Sequence, residues 1–404
     1  MILKLALRNV LRQRRRTVFT MLTMFAGFFL SSLSIGWQEG AYLDVIDMFT
    51  RSRTGHVQIH TGEYVENPAL YETIYDYELV AGKVEAVRGV ESWTARLYAA
   101  ALVQVGEQSS GVRVVGFDPA RETRATGFES MLSDGRMLSD SARGEVLVGD
   151  GLAAFLDAAV GEDMILLSQA ADGSIANERC TIAGIVDTGD PQTDRASCYM
   201  HLDDAQYVFM LEGRVHEIAV IAASLGRVRD LAGRIGEALA DDELLVEPWQ
   251  EFASEFYHAM QADLQGMWIM VAVIMVVVAV GVLNTVLMSV LERQREYGVL
   301  RALGTRPVCI VRLVLAEIAI MALLSVLLAL PASLLGLHLL HEIGLRLPQA
   351  MEYGGIQFTH VRAMITPSSV YIPSITVVAT AILVGLLPAM RAARTRPASA
   401  MRMH

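Results

Sequence analysis

Residues 266–291 read GMWIMVAVIMVVVAVGVLNTVLMSVL, an unbroken apolar stretch without a single charged side chain. About 20 apolar residues suffice to cross ~30 Å of hydrocarbon at 1.5 Å per residue, so this run predicts a membrane-spanning helix. Working outward, three more stretches meet the same test: Thr17 to Gln38 with no charge, Leu313 to His341 with Glu317 alone, and Ala363 to Met390 with none. In the last, the membrane part is placed from Ser369. The whole chain of 404 residues agrees, being 53% apolar and 19% charged, against about 25% charged in ordinary soluble domains. That composition excludes a disordered chain. Three cysteines exclude a disulfide scaffold, and a net charge of −11 excludes a nucleic-acid binder driven by basicity.

Charge sets the expected orientation. Residues 1–16, 292–312 and 391–404 together hold 15 basic and 2 acidic side chains, whereas 38–265 holds 16 basic and 39 acidic. Basic loops stay in the cytoplasm, so both termini and the 292–312 loop are expected inside and the large segment outside. The first apolar run exceeds the ~7–15 residues of a signal-peptide core and has no A-x-A-like site after it, so it reads as an uncleaved span. The expected fold class is therefore an integral membrane α-helical protein with four transmembrane helices and a large α+β extracytoplasmic domain between the first two. The division is 1–16 basic amphipathic helix, 17–38 first span, 39–265 outer domain on a helical stalk, and 266–291 second span. It continues with 292–307 cytoplasmic helix, 313–341 third span, 342–368 short outer loop, 369–390 fourth span and 391–404 cytoplasmic tail.

Within the outer segment, short runs such as 56–60, 101–105, 111–116, 145–148, 164–167, 180–186 and 217–221 read as strands by alternation or β-branched content. Helices are expected at 79–88, 149–158, 203–211 and 227–240. The flanks 38–50 and 250–265 carry apolar residues at helical spacing, such as Leu43, Ile46 and Phe49, then Phe252, Phe256, Met260 and Leu264. They are expected to extend spans one and two outward. Cys180 and Cys198 flank the loop 187–197 in a compartment where a bridge could form, so a disulfide and a pair of buried thiols both stay open. In residues 1–16, Leu3, Leu7, Val10 and Leu11 oppose Lys4, Arg8, Arg12 and Arg15, the pattern of a helix lying at the inner membrane interface among anionic headgroups.

No catalytic or metal pattern emerges. His56 and His60 share a strand face, His338 and His341 lack a carboxylate or thiolate cluster, and neither G-x-S-x-G nor H-E-x-x-H occurs. The phosphate loop of ATPases needs G-x-x-x-x-G-K-[ST], but the only lysines are Lys4 and Lys83, and neither sits in such a loop. The chain is expected to be no enzyme, and any ATP dependence must come from a partner.

Two cytoplasmic stretches carry a resemblance. Glu292-Arg293-Gln294-Arg295-Glu296-Tyr297-Gly298-Val299-Leu300-Arg301-Ala302-Leu303-Gly304 precedes span three, and Pro388-Ala389-Met390-Arg391-Ala392-Ala393-Arg394 leads to Pro397. Both resemble the permeases of the MacB/FtsX/LolCE type, the mechanotransmission subunits of ATP-binding-cassette systems. Leu132-Ser133-Asp134-Gly135-Arg136, Glu145 to Gly149, Ile182 to Val186 and Tyr199 to Gln206 resemble the outer domain of that family, so the likeness covers nearly the whole chain. It implies a coupling helix seated in a separate cytoplasmic ATPase, with Glu292, Arg293, Arg295, Glu296, Gly298, Arg301 and Gly304 as coupling residues. Tyr297 departs from the usual aliphatic side chain. Glu317 matches a recurring acidic position within span three, where a charge is costly and usually functional or paired.

The resemblance further implies no cofactor on this chain, ATP and Mg being bound by the ATPase subunit, and residence in a bacterial inner membrane. Implied partners are a second permease subunit in a homodimer or heterodimer, membrane lipids, and an extracytoplasmic cargo or acceptor protein, with no nucleic acid. Lipoprotein release from the inner membrane is the leading cargo, favoured by the absence of a fused ATPase domain and the start Gly55 to His60. Macrolide or peptide efflux, and ATP-driven signalling to a cell-wall hydrolase, stay as alternatives.

Overall fold

The computed structural model describes every residue except 1, 13, 63, 65–67, 242, 354–355 and 395–404. Of the expected tail, positions 395–404, with Arg396 and Arg402, lie outside the described residues. The chain forms two compact units: Met1–Tyr42, Met260–Arg346 and His360–His404 make the first, Leu43–Ala259 and Leu347–Thr359 the second.

Among the described residues, four helices are long and apolar enough to cross a membrane: Arg14–Phe49, Ser254–Glu292, Pro307–Ile343 and Pro367–Ala393. The first helix runs unbroken through residues 38–49 and ends in a π turn, Thr50–Thr54, released by Gly55 at φ +77°. The second begins at Ser254, after a four-residue turn at Trp249–Phe252. Val273, Val276, Val277 and Val280 stand exposed on it, a surface that hydrocarbon or another apolar helix would cover.

Small residues let these helices approach closely, as is usual between membrane helices. A Cβ on Gly27 would lie 2.2 Å from Val278 Cγ2, and one on Gly281 would lie 2.6 Å from Thr23 Cγ2. Met24, Phe28, Val278, Val282, Ile318 and Ala381 lie in the shared core. At the other end of the first helix, Ser368 Oγ donates to both oxygens of Glu39 at 2.6 Å, and Met364 N–H donates to Gly36 O at 2.9 Å. The expected short loop between spans three and four contains a two-stranded hairpin, Leu345–Tyr353 with Ile356–Val361.

Helix Ile2–Arg12 precedes the first span. Its buried stripe is Ala6 and Val10, while Leu7, expected on the apolar face, is exposed. The side chains of Leu3 and Leu11 lie outside the described residues.

The second unit is built on a ten-stranded mixed sheet. Its strands are β1 (Val57–Thr61), β2 (Val90–Val105), β3 (Gln108–Phe117), β4 (Leu132–Gly135), β5 (Glu145–Gly149), β6 (Asp163–Gln169), β7 (Ile175–Val186), β8 (Ser197–His201), β9 (Glu217–Ala222) and β10 (Leu244–Pro248). The order is β10-β1-β9-β2-β3-β8-β5-β7-β4, with β6 bridging β2 and β7. Pairs β3–β8 and β5–β7 are parallel, the others antiparallel. Short helices lie at Tyr77–Glu85, Pro119–Thr126, Asp150–Leu156, Leu202–Phe209 and Val228–Leu239. The second of these starts with an N-cap, Asp118 accepting from Arg121 N–H at 3.0 Å, and ends at Gly127 in the left-handed region.

The disulfide alternative is corrected by the topology. Cys180 lies on β7 and Cys198 on β8, with β5 between them. Two strand spacings are roughly 9–10 Å, beyond the ~7 Å Cα separation a bridge tolerates. Both thiols are free and buried. Burial pushes the Cys180 pKa up to about 12 and raises that of Cys198 too, so neither is poised to react.

Candidate functional site

Two constellations stand out, one in each unit. The first gathers around the short helix Gln294–Ala302. Arg293 breaks the helix before it, with φ −97° and ψ 11°, and Gly304 at φ +90° closes the segment after it. The side chains then sort by face. Tyr297, 1% exposed, enters the same core as Ala389, Ala392 and Ala393 of the fourth span helix. Gly298 is buried beside it. The opposite side carries exposed Arg295, Val299, Ala302 and Leu303, with Leu303 79% exposed.

Glu317 is not left to snorkel. Its two carboxylate oxygens each accept from Arg293 Nη1 at 3.1 Å, and Oε1 also accepts from Asn9 Nδ2 at 2.6 Å. Arg293 Nε donates to Glu296 at 2.9 Å, and its guanidinium lies 5.4 Å from the centre of the Tyr297 ring. One buried carboxylate thus joins the N-terminal helix, the loop helix and the third span helix. Around it, Arg16 pairs with Glu292, and Arg12 lies 3.8 Å from Glu296. These outer pairs are solvent-facing and worth little each. The Arg293–Glu317 pair is buried, and a buried pair costs several kcal/mol to break from one side.

Of the positions singled out in the sequence, Glu292, Arg293, Glu296 and Glu317 are therefore brought together. Arg295 points away, exposed. Arg301 turns back on its own loop, donating through Nη1 to Thr305 O at 3.3 Å, as basic side chains commonly do at helix C-termini. Gly304 serves the turn. Asn9 carried no signal in the sequence beyond its place in an amphipathic helix.

The second constellation is a cleft of about 1240 Å³ in the β-sheet unit. Arg96, Tyr98, Ala100 and Leu102 alternate along one face of β2 and line it. Arg96 donates to Glu122 through Nη2 at 2.6 Å and Nε at 3.2 Å, and through Nη1 to Glu217 at 3.3 Å. Glu217 also accepts from Tyr98 Oη at 2.7 Å and from Gln58 at 3.2 Å, while Glu122 accepts from Thr94 at 2.7 Å. Burial raises the Glu217 pKa, partly opposed by Arg96 and by the Tyr98 hydroxyl. His216 Nδ1 accepts from Tyr98 N–H at 3.0 Å, which leaves Nε2 to donate to Leu70 O at 3.2 Å. Burial holds its pKa down to about 4, so the neutral ring ties segment 68–70 to the sheet. Phe117, Phe128 and Tyr199 form an aromatic floor with ring centres 5.0–6.1 Å apart. None of these side chains was given a role from the sequence. Arg96 and Glu217 are isolated charges within apolar runs, and such a pattern gives no partner.

Among the described residues, no group of three or more His, Cys, Asp and Glu side chains could hold a metal ion.

Comparison with known proteins supplies the family. The MacB-like periplasmic core domain matches residues 17–238, and the FtsX-like permease C-terminal region matches residues 268–397. The lipoprotein-releasing system transmembrane protein LolC of Neisseria meningitidis is 22% identical over 386 residues, covering 89% of each chain. LolC of Xylella fastidiosa is 24% identical over 315 residues, covering 75% of each. Among solved structures, the periplasmic region of MacB from Actinobacillus actinomycetemcomitans aligns with TM-score 0.38 and 13% identity, over 50% of this chain and 93% of that one. The extracellular domain of the ABC-type transporter YknZ from Gram-positive bacteria aligns with TM-score 0.35 and 14% identity, over 47% and 98%. With both domain families matched in order along one chain that carries four candidate spans, this protein belongs to the ABC-transporter permeases of the MacB/FtsX/LolC type.

Proposed function

We propose that this chain is the permease subunit of an ATP-driven release system, coupled to a separate cytoplasmic ATPase through helix Gln294–Ala302. The observation that carries the reading is the two-sidedness of that helix. Tyr297 fastens it to the fourth span helix with Gly298 buried beside it, Arg293 ties it to Glu317, and Arg295, Val299 and Leu303 are left outward. A helix anchored on one side with an apolar and basic face outward has the anatomy of a docking element. ATP-driven movement of the partner would then displace the loop helix, and the Glu317 clasp would pass that displacement into the third span helix.

In this reading the termini and the loop helix are cytoplasmic, and the β-sheet unit is extracytoplasmic, as the distribution of basic residues supports. Two permease subunits would serve a paired ATPase. Lipoprotein release is the favoured cargo because the likeness to a lipoprotein-releasing permease spans 89% of both chains. Efflux of a drug or peptide is the second reading, supported by the match to the MacB-like core domain.

Co-purification with a cassette ATPase, and the ATPase rate of the reconstituted pair, test the coupling role. Leu303→Asp changes a side chain that touches little of its own chain, so the permease should fold and insert normally while ATPase capture falls at least tenfold. Undiminished capture would refute the docking face. Release of a radiolabelled lipoprotein from spheroplasts on ATP-dependent turnover tests the cargo, and its absence with coupling intact would shift the choice to efflux.

A further inference from the structure

The Glu317 clasp borders a partly enclosed pocket of about 40 Å³. Thr17 and Thr20 reach it from the first span helix, Thr285 from the second and Tyr297 from the loop helix, beside Arg16 and Glu317. Polar side chains inside a membrane bundle are costly unless they meet one another or water.

Each threonine has placed its one hydrogen on the main chain. Thr17 Oγ1 donates to Val10 O at 2.8 Å, Thr20 Oγ1 to Arg16 O at 3.0 Å, and Thr285 Oγ1 to Gly281 O at 2.9 Å. What they still offer is lone pairs. Arg16 offers the reverse. Its Nη2 pairs with Glu292, while Nη1 is buried and finds no hydrogen-bond partner among the described residues. A buried N–H in that condition is destabilising, and more so on a charged group. The walls therefore combine an unmet donor with unmet acceptors.

Charge and size decide what can bridge them. Arg12, Arg16 and Arg293 balance Glu292, Glu296 and Glu317, so a further ion of either sign would be uncompensated. One water needs about 10–15 Å³ of such space, which gives this pocket room for about one to three. Water is neutral, fits, and both donates and accepts.

We propose that this pocket is a water site, its molecules accepting from Arg16 Nη1 and donating to Thr20 and Thr285. Water trades partners as its neighbours shift, so the site would let the first two span helices move against the loop helix with Arg16 still satisfied. Occupancy is a property of this chain alone; that use of it rests on the coupling reading.

Hydroxyl-radical footprinting by synchrotron radiolysis tests occupancy, with the full chain in phosphatidylcholine nanodiscs and no ATPase present. Radicals formed on bound water label side chains that bulk solvent does not reach. Tyr297 and Met321 line the pocket and should be labelled, while Phe28, buried in the apolar core of the same unit, should not. Thr20→Val combined with Thr285→Val keeps the shape and removes two acceptors, so label on Tyr297 should fall about fivefold, the worth of one hydrogen bond. Each single valine should give part of that fall, which keeps the test decisive if the double variant folds poorly. Replacing chloride by gluconate in the buffer should change nothing. Label on Tyr297 no higher than on Phe28, label that survives both valines, or label that depends on chloride would each overturn the water site. With the ATPase added, the double variant should still capture it but stimulate hydrolysis about fivefold less; full stimulation would overturn the use of the site. Failure of the wild type to capture an ATPase would count against the coupling reading and leave the footprint unchanged.

Discussion

Replacing Arg96 with methionine is the sharpest test of the β-sheet unit. The substitution keeps most of the volume and removes the guanidinium that Glu122 and Glu217 share. Both carboxylates are nearly inaccessible in the folded domain, with side chains 3% and 7% exposed. Breaking a buried pair from one side costs about 3–5 kcal/mol, a large share of the ~5–15 kcal/mol that holds a domain folded. Because the chain has two units, a single melting temperature is the wrong readout. Hydrogen exchange of the peptides covering β2 and β9 reports the right opening. At ~1.4 kcal/mol per factor of ten, their globally limited amides should exchange about 10²–10⁴ times faster than in the wild type at the same pH.

The pH dependence adds a second check. In the wild type, burial already raises the Glu217 pKa, so the folded state binds more protons than the unfolded above the usual glutamate range. Stability therefore falls as pH rises through that window. Without Arg96 the window widens, and the defect should shrink as the solution is acidified. Combining Arg96→Met with Glu122→Leu and Glu217→Leu should recover most of the loss, since apolar replacement of a whole buried ion group is often neutral. Less than about tenfold acceleration in the single variant, independent of pH, would show that the ion group carries no such energy.

Three further outcomes are expected. Glu317→Ala should leave Arg293 without its buried counter-charge and loosen helix Gln294–Ala302, seen as faster tryptic cleavage at Arg295 while the span helices stay protected; unchanged cleavage would refute the clasp. Cys180 and Cys198 should each count as a free thiol by mass after denaturation, and both should resist maleimide in the native protein, because they are buried with raised pKa values. His216 is held neutral, so stability should be fully present above pH ~6.5 and be lost as pH falls toward about 4, where the folded ring also protonates. His216→Phe should abolish that acid-dependent loosening of segment 68–70, as measured by hydrogen exchange.

The membrane helices were legible because hydrocarbon imposes one requirement, length without charge, and residues 266–291 meet it without reference to anything else. The strands at 145–149, 163–169 and 217–222 were legible for a related reason, being short apolar runs between turn residues. Strand β2 was visible only in its second half. Its first half places Arg96 on the face that the core and cleft use, and a buried charge disguises a strand until its partners are known. Those partners, Glu122 and Glu217, lie 26 and 121 residues away. The pairing of Cys180 and Cys198 stayed open in the sequence for the same reason. Their strands are close in sequence, yet β5 enters between them from an earlier part of the chain. At the loop helix, the pattern of Arg, Glu and apolar residues announced a surface element, but not which of its charges face inward. Arg293 and Arg295 differ by two residues and by opposite faces.

The two buried guanidinium groups follow one design. Arg293 and Asn9 both donate to Glu317, joining three separate segments of the chain, and Arg96 meets Glu122 and Glu217 from three others. Apolar packing of alanines and valines would bury these elements equally well, but it tolerates sliding by a fraction of a turn. A guanidinium paired with a buried carboxylate does not, since its donors have fixed directions and the carboxylate left behind is costly. Under the proposed coupling role, resistance to sliding would matter more than the last kcal/mol of cohesion. If the loop helix Gln294–Ala302 were held by Tyr297 alone, a push on Leu303 would roll it about that ring. With Arg293 locked to Glu317, the same push must move the third span helix as well.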